Sequence, residues 1–244
     1  NISKNEIINF QTLVKQRQKG KPVSRILNKR NFWKREFMLN GDTLDPRPDS
    51  EILIEAVLEY FPSKTQLLKI LDLGSGTGCL GLSLLEEYED SLISFVDVSK
   101  KSLEIVEKNS HQFWLKGKLK CVHLDWHTYN WDTQLLNFEE NKKFDIIITN
   151  PPYIPSNDIN FLEIEVKDYD PILALDGGND GLNAYRSIIP RLKNLVKSDG
   201  KIFVEIGRGQ ENSVSEIALQ HGILSIDYKR DLSNIIRVIV LNIK

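Results

Sequence analysis

From residue 69 onward the chain alternates strand-length apolar runs with helix-length amphipathic stretches, and this alternation leaves few folds open. Strands are expected over 69–73, 92–97, 119–124, 144–149, 200–206, 223–229 and 234–241. Helices are expected over 77–87, 99–114, 181–197 and 209–220. Runs such as Phe144-Asp145-Ile146-Ile147-Ile148-Thr149 are almost continuously apolar, as strands buried on both faces must be. Such strands separated by helices imply an α/β fold, a mainly parallel seven-stranded sheet covered on both sides. Only Asp231-Leu232-Ser233 separates the last two strands, so they are expected to form an antiparallel hairpin at the sheet edge.

Three shorter features precede this region. Residues 5–18 read as a helix carrying Ile8, Phe10, Leu13 and Val14, broken by Gly20-Lys21-Pro22. Residues 31–45 mix aromatics with the turn residues Asn40-Gly41-Asp42, which suggests a β-hairpin. Pro46-Arg47-Pro48 then leads into a helix with Asp49 or Ser50 as N-cap and Ile52, Leu53, Ala56 and Val57 at helical spacing. The expected organisation is a helical segment (1–30), a hairpin linker (31–46) and a main domain (47–244).

Hydrophobic content of 41% and charged content of 27% suit an ordinary soluble protein. No apolar run approaches the roughly 18 residues of a membrane helix, and no signal-peptide pattern opens the chain, so a cytoplasmic location is expected. Cys79 and Cys121 offer neither a disulfide framework nor zinc spacing and read as buried free thiols. His111, His123, His127 and His221 share no metal spacing, so no metal is expected; Trp114 and Trp131 read as packing residues. The net charge of −2 conceals an asymmetry. Residues 11–35 hold Lys15, Arg17, Lys19, Lys21, Arg25, Lys29, Arg30, Lys34 and Arg35 and no acid, so this arm carries +9 and the remainder −2 − 9 = −11. Such an arm suits an anionic partner such as RNA or an acidic protein face, and equally a solvated basic helix.

The first chemical signal is Ile-Leu-Asp-Leu-Gly-Ser-Gly-Thr-Gly-Cys-Leu-Gly at 70–81. A strand ending in Asp72-Leu73 runs through Gly74, Gly76 and Gly78 into a helix. Glycines there let a ligand approach the backbone, and the helix N-terminus offers unpaired N–H groups. Asp97 ends the second strand, where a carboxylate can accept from both hydroxyls of a ribose. Asp125, after the third strand, is placed to accept from an exocyclic amine such as that of adenine, with Trp126 along the base. Gly76-x-Gly78-x-x-Gly81 formally admits a nicotinamide dinucleotide. The run Gly74-x-Gly76-x-Gly78 behind Asp72 fits S-adenosylmethionine better.

The second signal is Asn150-Pro151-Pro152-Tyr153, directly after the fourth strand. That strand is expected beside the first, opening into the crevice where α/β sheets bind ligands. A residue before proline is held extended, and two prolines fix φ and remove two donors. The result is a rigid turn presenting the Asn150 amide and bare carbonyls, suited to gripping a planar NH2 group beside the flat face of Tyr153. Accepting both N–H hydrogens stabilises positive charge developing on that nitrogen and aims its lone pair.

With these motifs in hand, the chain resembles the class I methyltransferases that act on planar nitrogen. Three further segments narrow the resemblance: residues 32–55, containing Arg47-Pro48-Asp49-Ser50-Glu51; residues 169–186, Tyr-Asp-Pro to Tyr-Arg; and Val204-Glu205-Ile206-Gly207-Arg208-Gly209-Gln210. They are similar to the HemK/PrmC protein-(glutamine-N5) methyltransferases of peptide-chain release factors, over roughly residues 20–244. The resemblance implies a Rossmann-like domain that methylates the glutamine of a Gly-Gly-Gln motif in a bacterial-type release factor. It implies Asn150, Pro151 and Tyr153 as catalytic, with Pro152, Arg47 and Phe37 also on the substrate side. Asp72, Gly74, Gly76, Gly78, Asp97, Asp125, Trp126 and Asn150 would hold S-adenosylmethionine. A monomer without membrane association is expected, and nucleic acid is not the expected substrate; the alternative is an adenine or guanine amine in DNA or rRNA. Two departures stand out. The family's N-terminal release-factor-docking domain is reduced to residues 1–30, and Asp45 replaces an apolar residue usual before Pro46-Arg47-Pro48.

Overall fold

Seven strands share one sheet and two form a separate hairpin in the computed structural model, which describes residues 2–115 and 118–243. The chain opens with α1 (Lys4–Gln18), α2 (Val23–Leu27) and the hairpin β1 (Lys29–Phe32) and β2 (Arg35–Met38), followed by α3 (Glu51–Tyr60). The sheet region runs β3 (Lys69–Leu73), α4 (Cys79–Glu87), β4 (Leu92–Asp97), α5 (Lys100–Gln112), β5 (Leu119–His123), α6 (Trp131–Phe138) and β6 (Phe144–Thr149). It continues through α7 (Ile164–Lys167), α8 (Asn183–Leu195), β7 (Val196–Glu205), α9 (Glu211–Gln220), β8 (Ile223–Arg230) and β9 (Ile236–Ile243).

Strand order is β5-β4-β3-β6-β7-β9-β8, parallel except for β9, which runs antiparallel to both neighbours. The expected neighbours β3 and β6 pair from Ile70↔Ile146 to Leu73↔Thr149, and the Thr149 hydroxyl donates to the Leu73 carbonyl at 2.7 Å. Alternation along each strand divides the core. Leu71, Leu73, Val96, Ile147 and Val204 join one apolar cluster with residues of α6, α8 and α9. Ile70, Ile93, Phe95, Ile146, Ile148 and Phe203 join the other with residues of α3, α4 and α5. Because β3 leads outward to β4 while β6 starts the opposite half, the strand ends at β3/β6 form the crevice predicted for this topology.

Several local expectations are corrected. The hairpin reverses at Trp33-Lys34 rather than around Asn40-Gly41-Asp42, with Trp33 at φ 52°. Neither Asp49 nor Ser50 caps α3 through its side chain; a single 3₁₀ turn over Pro48–Ser50 feeds the helix instead. Helix α6 is an addition, and β7 begins at Val196, four residues before the expected strand start. Trp131 is buried at 2% exposure, but Trp114 is 92% exposed and packs nothing. Both cysteines are half-buried.

The N-terminal helix is closed by a capping box, with Ser3 Oγ accepting from Glu6 N and Glu6 Oε2 accepting from Ser3 N. None of its residues is buried, so Ile8, Phe10 and Val14 face solvent. The basic arm is largely neutralised by the chain's own acids. Arg17 pairs with Glu165, Arg25 with Asp170, Lys29 with Glu36, Arg30 with Asp45, Lys34 with Glu87 and Arg35 with Glu86. No helix among the described residues is long and apolar enough to cross a membrane.

Candidate active site

The carboxyl ends of β3, β4, β5 and β6 converge on an open cleft enclosing about 1120 Å³, part of it continuous with solvent. Its walls bring together most residues expected there: Gly74, Gly76, Asp97, Asp125, Trp126, Asn150, Pro152 and Arg47.

The glycine loop is shaped by backbone needs. The N–H groups of Gly74 and Ser75 both donate to the Val96 carbonyl, at 2.8 and 3.1 Å, which draws the loop across the end of β4. Gly74 has φ 82°, and a Cβ there would come within 3.0 Å of the Trp126 ring, so the indole lies against the loop. Gly76, at φ 53°, would point a Cβ into open space, so the bare backbone forms the cleft floor. Asp97 accepts from Gly76 N at 2.9 Å and from Ser99 N at 2.8 Å. Burial raises its carboxyl, while the bonds from Ser99 and Gly76 oppose that shift. Each oxygen keeps a further acceptor site toward the cleft. Asp125 uses Oδ1 to accept from His127 N at 2.8 Å.

Five expected residues do not line the cleft. Asp72 is 1% exposed and lies beneath the loop, where Oδ2 accepts from Gly81 N at 3.0 Å. Burial lifts its carboxyl to about 7, and it acts as a support for the start of α4. Gly78 forms the left-handed entry to that helix, packed under Val106. Phe37 is wholly buried, edge-on to Phe32 and Phe113, because its position in β2 faces the core. The Pro151 ring is buried. The half-buried Tyr153 side chain packs against the core cluster beneath α8 and α9. Burial raises its phenol, with Glu205 adding to the effect. Among the described residues nothing donates to the Pro151 carbonyl.

The three segments that carry the family resemblance meet around Asn150. Arg47 pairs with Asp170, which also binds Arg25 and accepts from Asp45 N at 3.1 Å. Gln210 Nε2 donates to the Tyr153 carbonyl at 3.0 Å and to that of Gly181 at 3.3 Å. Asn150 Nδ2 donates to Ser50 Oγ at 3.2 Å, and Glu205 stands behind both. Asp45, unexplained by the sequence, accepts from the buried Ser24 hydroxyl and faces Arg30, so its carboxylate fastens α2 and β1 to the cleft wall. Sequence reasoning missed Ser50 as a site residue because its cap-like setting disguised it. His127, which no local motif marks, also lines the cleft, with Nδ1 2.9 Å from Ser187 Oγ.

Residues 42–164 match the Methyltransferase small domain family. The chain is 35% identical over 239 residues to a release factor glutamine methyltransferase of Clostridium acetobutylicum, aligning 98% of itself with 81% of that protein. It is 34% identical over 265 residues to a bifunctional methyltransferase of Rickettsia bellii, of which it spans only 46%. In fold it is similar to the hMettl16 catalytic domain solved with the MAT2A 3'UTR hairpin 6, with TM-score 0.67, 16% identity, and coverage of 85% of this chain and 75% of that one. At 35% identity over nearly its whole length to a relative of which it covers four fifths, the chain belongs to the release factor glutamine methyltransferase family.

Proposed function

We propose that this protein transfers a methyl group from S-adenosylmethionine to the side-chain amide nitrogen of the glutamine in a release factor's Gly-Gly-Gln motif. The observation that carries the reading is the Asn150 amide at the end of β6, lining the cleft beside the glycine loop that follows β3. The residues fit the cofactor's chemistry. Asp97 has acceptor sites for a pair of vicinal hydroxyls, Asp125 an acceptor for an exocyclic amine, and Leu44, Pro46 and Val98 supply apolar wall. When bound, S-adenosylmethionine supplies an electrophilic methyl group.

The chain's own part is to make a poor nucleophile competent. An amide nitrogen has its lone pair delocalised into the carbonyl. Asn150 Oδ1 and the Pro151 carbonyl would each accept one of its hydrogens, favouring the state in which the nitrogen turns positive. Pro151 and Pro152 hold both acceptors in advance, so little reorganisation remains at the moment of reaction. Pro152 and Arg47 border the amide's approach, and Tyr153 stiffens the turn from below.

Two features bear on the partner. Helix α1 presents Ile7, Ile8, Phe10 and Val14 outward, and we read residues 1–30 as a release-factor-facing segment. The hairpin linker joins it to the catalytic domain, and one copy acts alone in the cytoplasm. The same tetrapeptide could grip an adenine or guanine amine. Pairing of six of the arm's cations within the chain leaves little charge to follow phosphates, which favours the protein substrate. Mass spectrometry of a release factor incubated with the protein and cofactor tests the reading: the added methyl should sit on the Gly-Gly-Gln glutamine and nowhere else.

Asp97→Asn should weaken cofactor binding about ten- to hundredfold, the equivalent of charge-assisted hydrogen bonds of roughly 1.5–3 kcal/mol. Calorimetric titration checks this. An unchanged affinity would remove Asp97 from the cofactor side of the cleft.

A further inference from the structure

Glu205, the last residue of β7, is 3% exposed and its Oε2 has no hydrogen-bond partner among the described residues. Leaving a carboxylate in such a place is costly unless something uses it. Its position follows from register: Thr149 of β6 pairs with Val204 of β7, so Asn150 and Glu205 are the next residues on adjacent strands. Ser50, itself 3% exposed, stands with them, its Oγ accepting from Asn150 Nδ2 at 3.2 Å.

The order of donors in this trio decides which way the Asn150 amide points. An ionised carboxylate can only accept, so the Ser50 hydroxyl, which with the Asn150 amide lowers the Glu205 carboxyl by hydrogen bonding, serves it as donor. The Ser50 oxygen is then left as an acceptor, and the only Asn150 group that can satisfy it is the NH2. That leaves Oδ1 for the cleft. With the amide flipped, two acceptors would face each other at Ser50 and a donor would face the substrate's NH2. We propose that Glu205, acting through Ser50, is the positioning residue that fixes the Asn150 amide with its oxygen toward the substrate amide. This rests on the reading of Asn150 as the group that grips the substrate nitrogen.

The relay should respond to pH. Burial raises the Glu205 carboxyl to about 7, against the lowering effects of Ser50, Arg237 and Asn150, with Asp49 adding to the rise. Tyr153, Tyr185 and Cys79 are the other titratable groups that feel its charge. Burial lifts all three to high values, with Cys79 at about 12 and the two tyrosines raised above the usual phenol range, so they stay neutral through the neutral range. Below about 7 a protonated Glu205 can donate to Ser50, and the hydroxyl no longer dictates the amide's orientation. Asp72 titrates in the same range, but it supports the glycine loop and should act on cofactor affinity instead.

The experiment compares wild type, Glu205→Gln and Ser50→Ala, with the release factor as substrate. It follows kcat against pH from acid to alkaline, alongside cofactor Kd by calorimetry. Wild type should lose kcat as pH falls through about 7. Both variants should lose about tenfold or more in kcat at alkaline pH, the scale of a misplaced reacting group, and should lack the inflection, with cofactor Kd unchanged. Glu205→Gln removes a buried charge without changing shape, so folding is retained, and Ser50→Ala breaks the relay while leaving Glu205 in place. Wild-type kcat and an unaltered inflection in both variants would overturn the proposal. A folded wild type that leaves the release factor unmethylated would instead overturn the function on which it rests.

Discussion

Asn150→Ala is expected to lower turnover by about 10²–10³, the loss found when one preorganised acceptor or donor is removed from a developing charge. Cofactor affinity should stay nearly unchanged, because Gly74, Gly76, Asp97 and Asp125 supply the backbone and carboxylate groups proposed to hold the cofactor, and all remain. The pattern distinguishes a group that acts at the transition state from one that binds both states alike. Single-turnover kinetics with saturating cofactor read the first quantity, and calorimetric titration reads the second. A large loss of cofactor binding with modest loss of rate would contradict the assignment.

The second large effect concerns stability. Arg25 is 5% exposed and donates to the carbonyls of Asn40 and Thr43 and to Asp170, whose side chain is 1% exposed. Arg25→Ala leaves Asp170 with Asp45 N and with Arg47, a partner 36% exposed, and strands the buried Thr43 carbonyl. Breaking a buried pair from one side costs about 3–5 kcal/mol. In a domain of this size that corresponds to a fall in melting temperature of about 10 °C. Asp170→Ala should cost a similar amount, and the double variant much less than the sum, because the two removals share one interaction. Thermal unfolding of the four proteins checks this. Additive losses would mean the pair is not coupled. Asp170 also holds Arg47 at the cleft, so activity should fall with stability in Asp170→Ala.

The sequence was most readable where local pattern and tertiary need agree. Phe144–Thr149, Lys69–Leu73 and Leu92–Asp97 fall where the apolar runs predicted, because a strand buried on both faces must be apolar throughout. The glycine loop and the converging strand ends were readable for the same reason: backbone conformation and topology restrict which residues fit. Expectations failed where the deciding contact is remote or the conformation atypical. Trp33 takes a left-handed turn that no turn residue advertises, while the stronger Asn40-Gly41-Asp42 signal lies beyond the hairpin. Phe37 lies in a segment resembling a substrate wall, yet strand parity sends it to the core. Between an anionic-partner arm and a solvated basic one the sequence left the choice open, because pairs such as Arg25–Asp170, 145 residues apart, are supplied by no local reading. Asp45 likewise became intelligible only once Ser24 and Arg30 were seen around it. Glu205 carried no local signal beyond its place at a strand end; the register with Thr149 brings it to Asn150.

The central claim is that the cleft accepts a glutamine amide, and one comparison tests it most directly. Labelled S-adenosylmethionine is offered with an intact release factor, with the same factor carrying alanine for the Gly-Gly-Gln glutamine, and with DNA and rRNA. The account predicts label in the intact factor alone, dependent on Asn150. Equal labelling of the alanine factor, or label in nucleic acid with none in the factor, would contradict it.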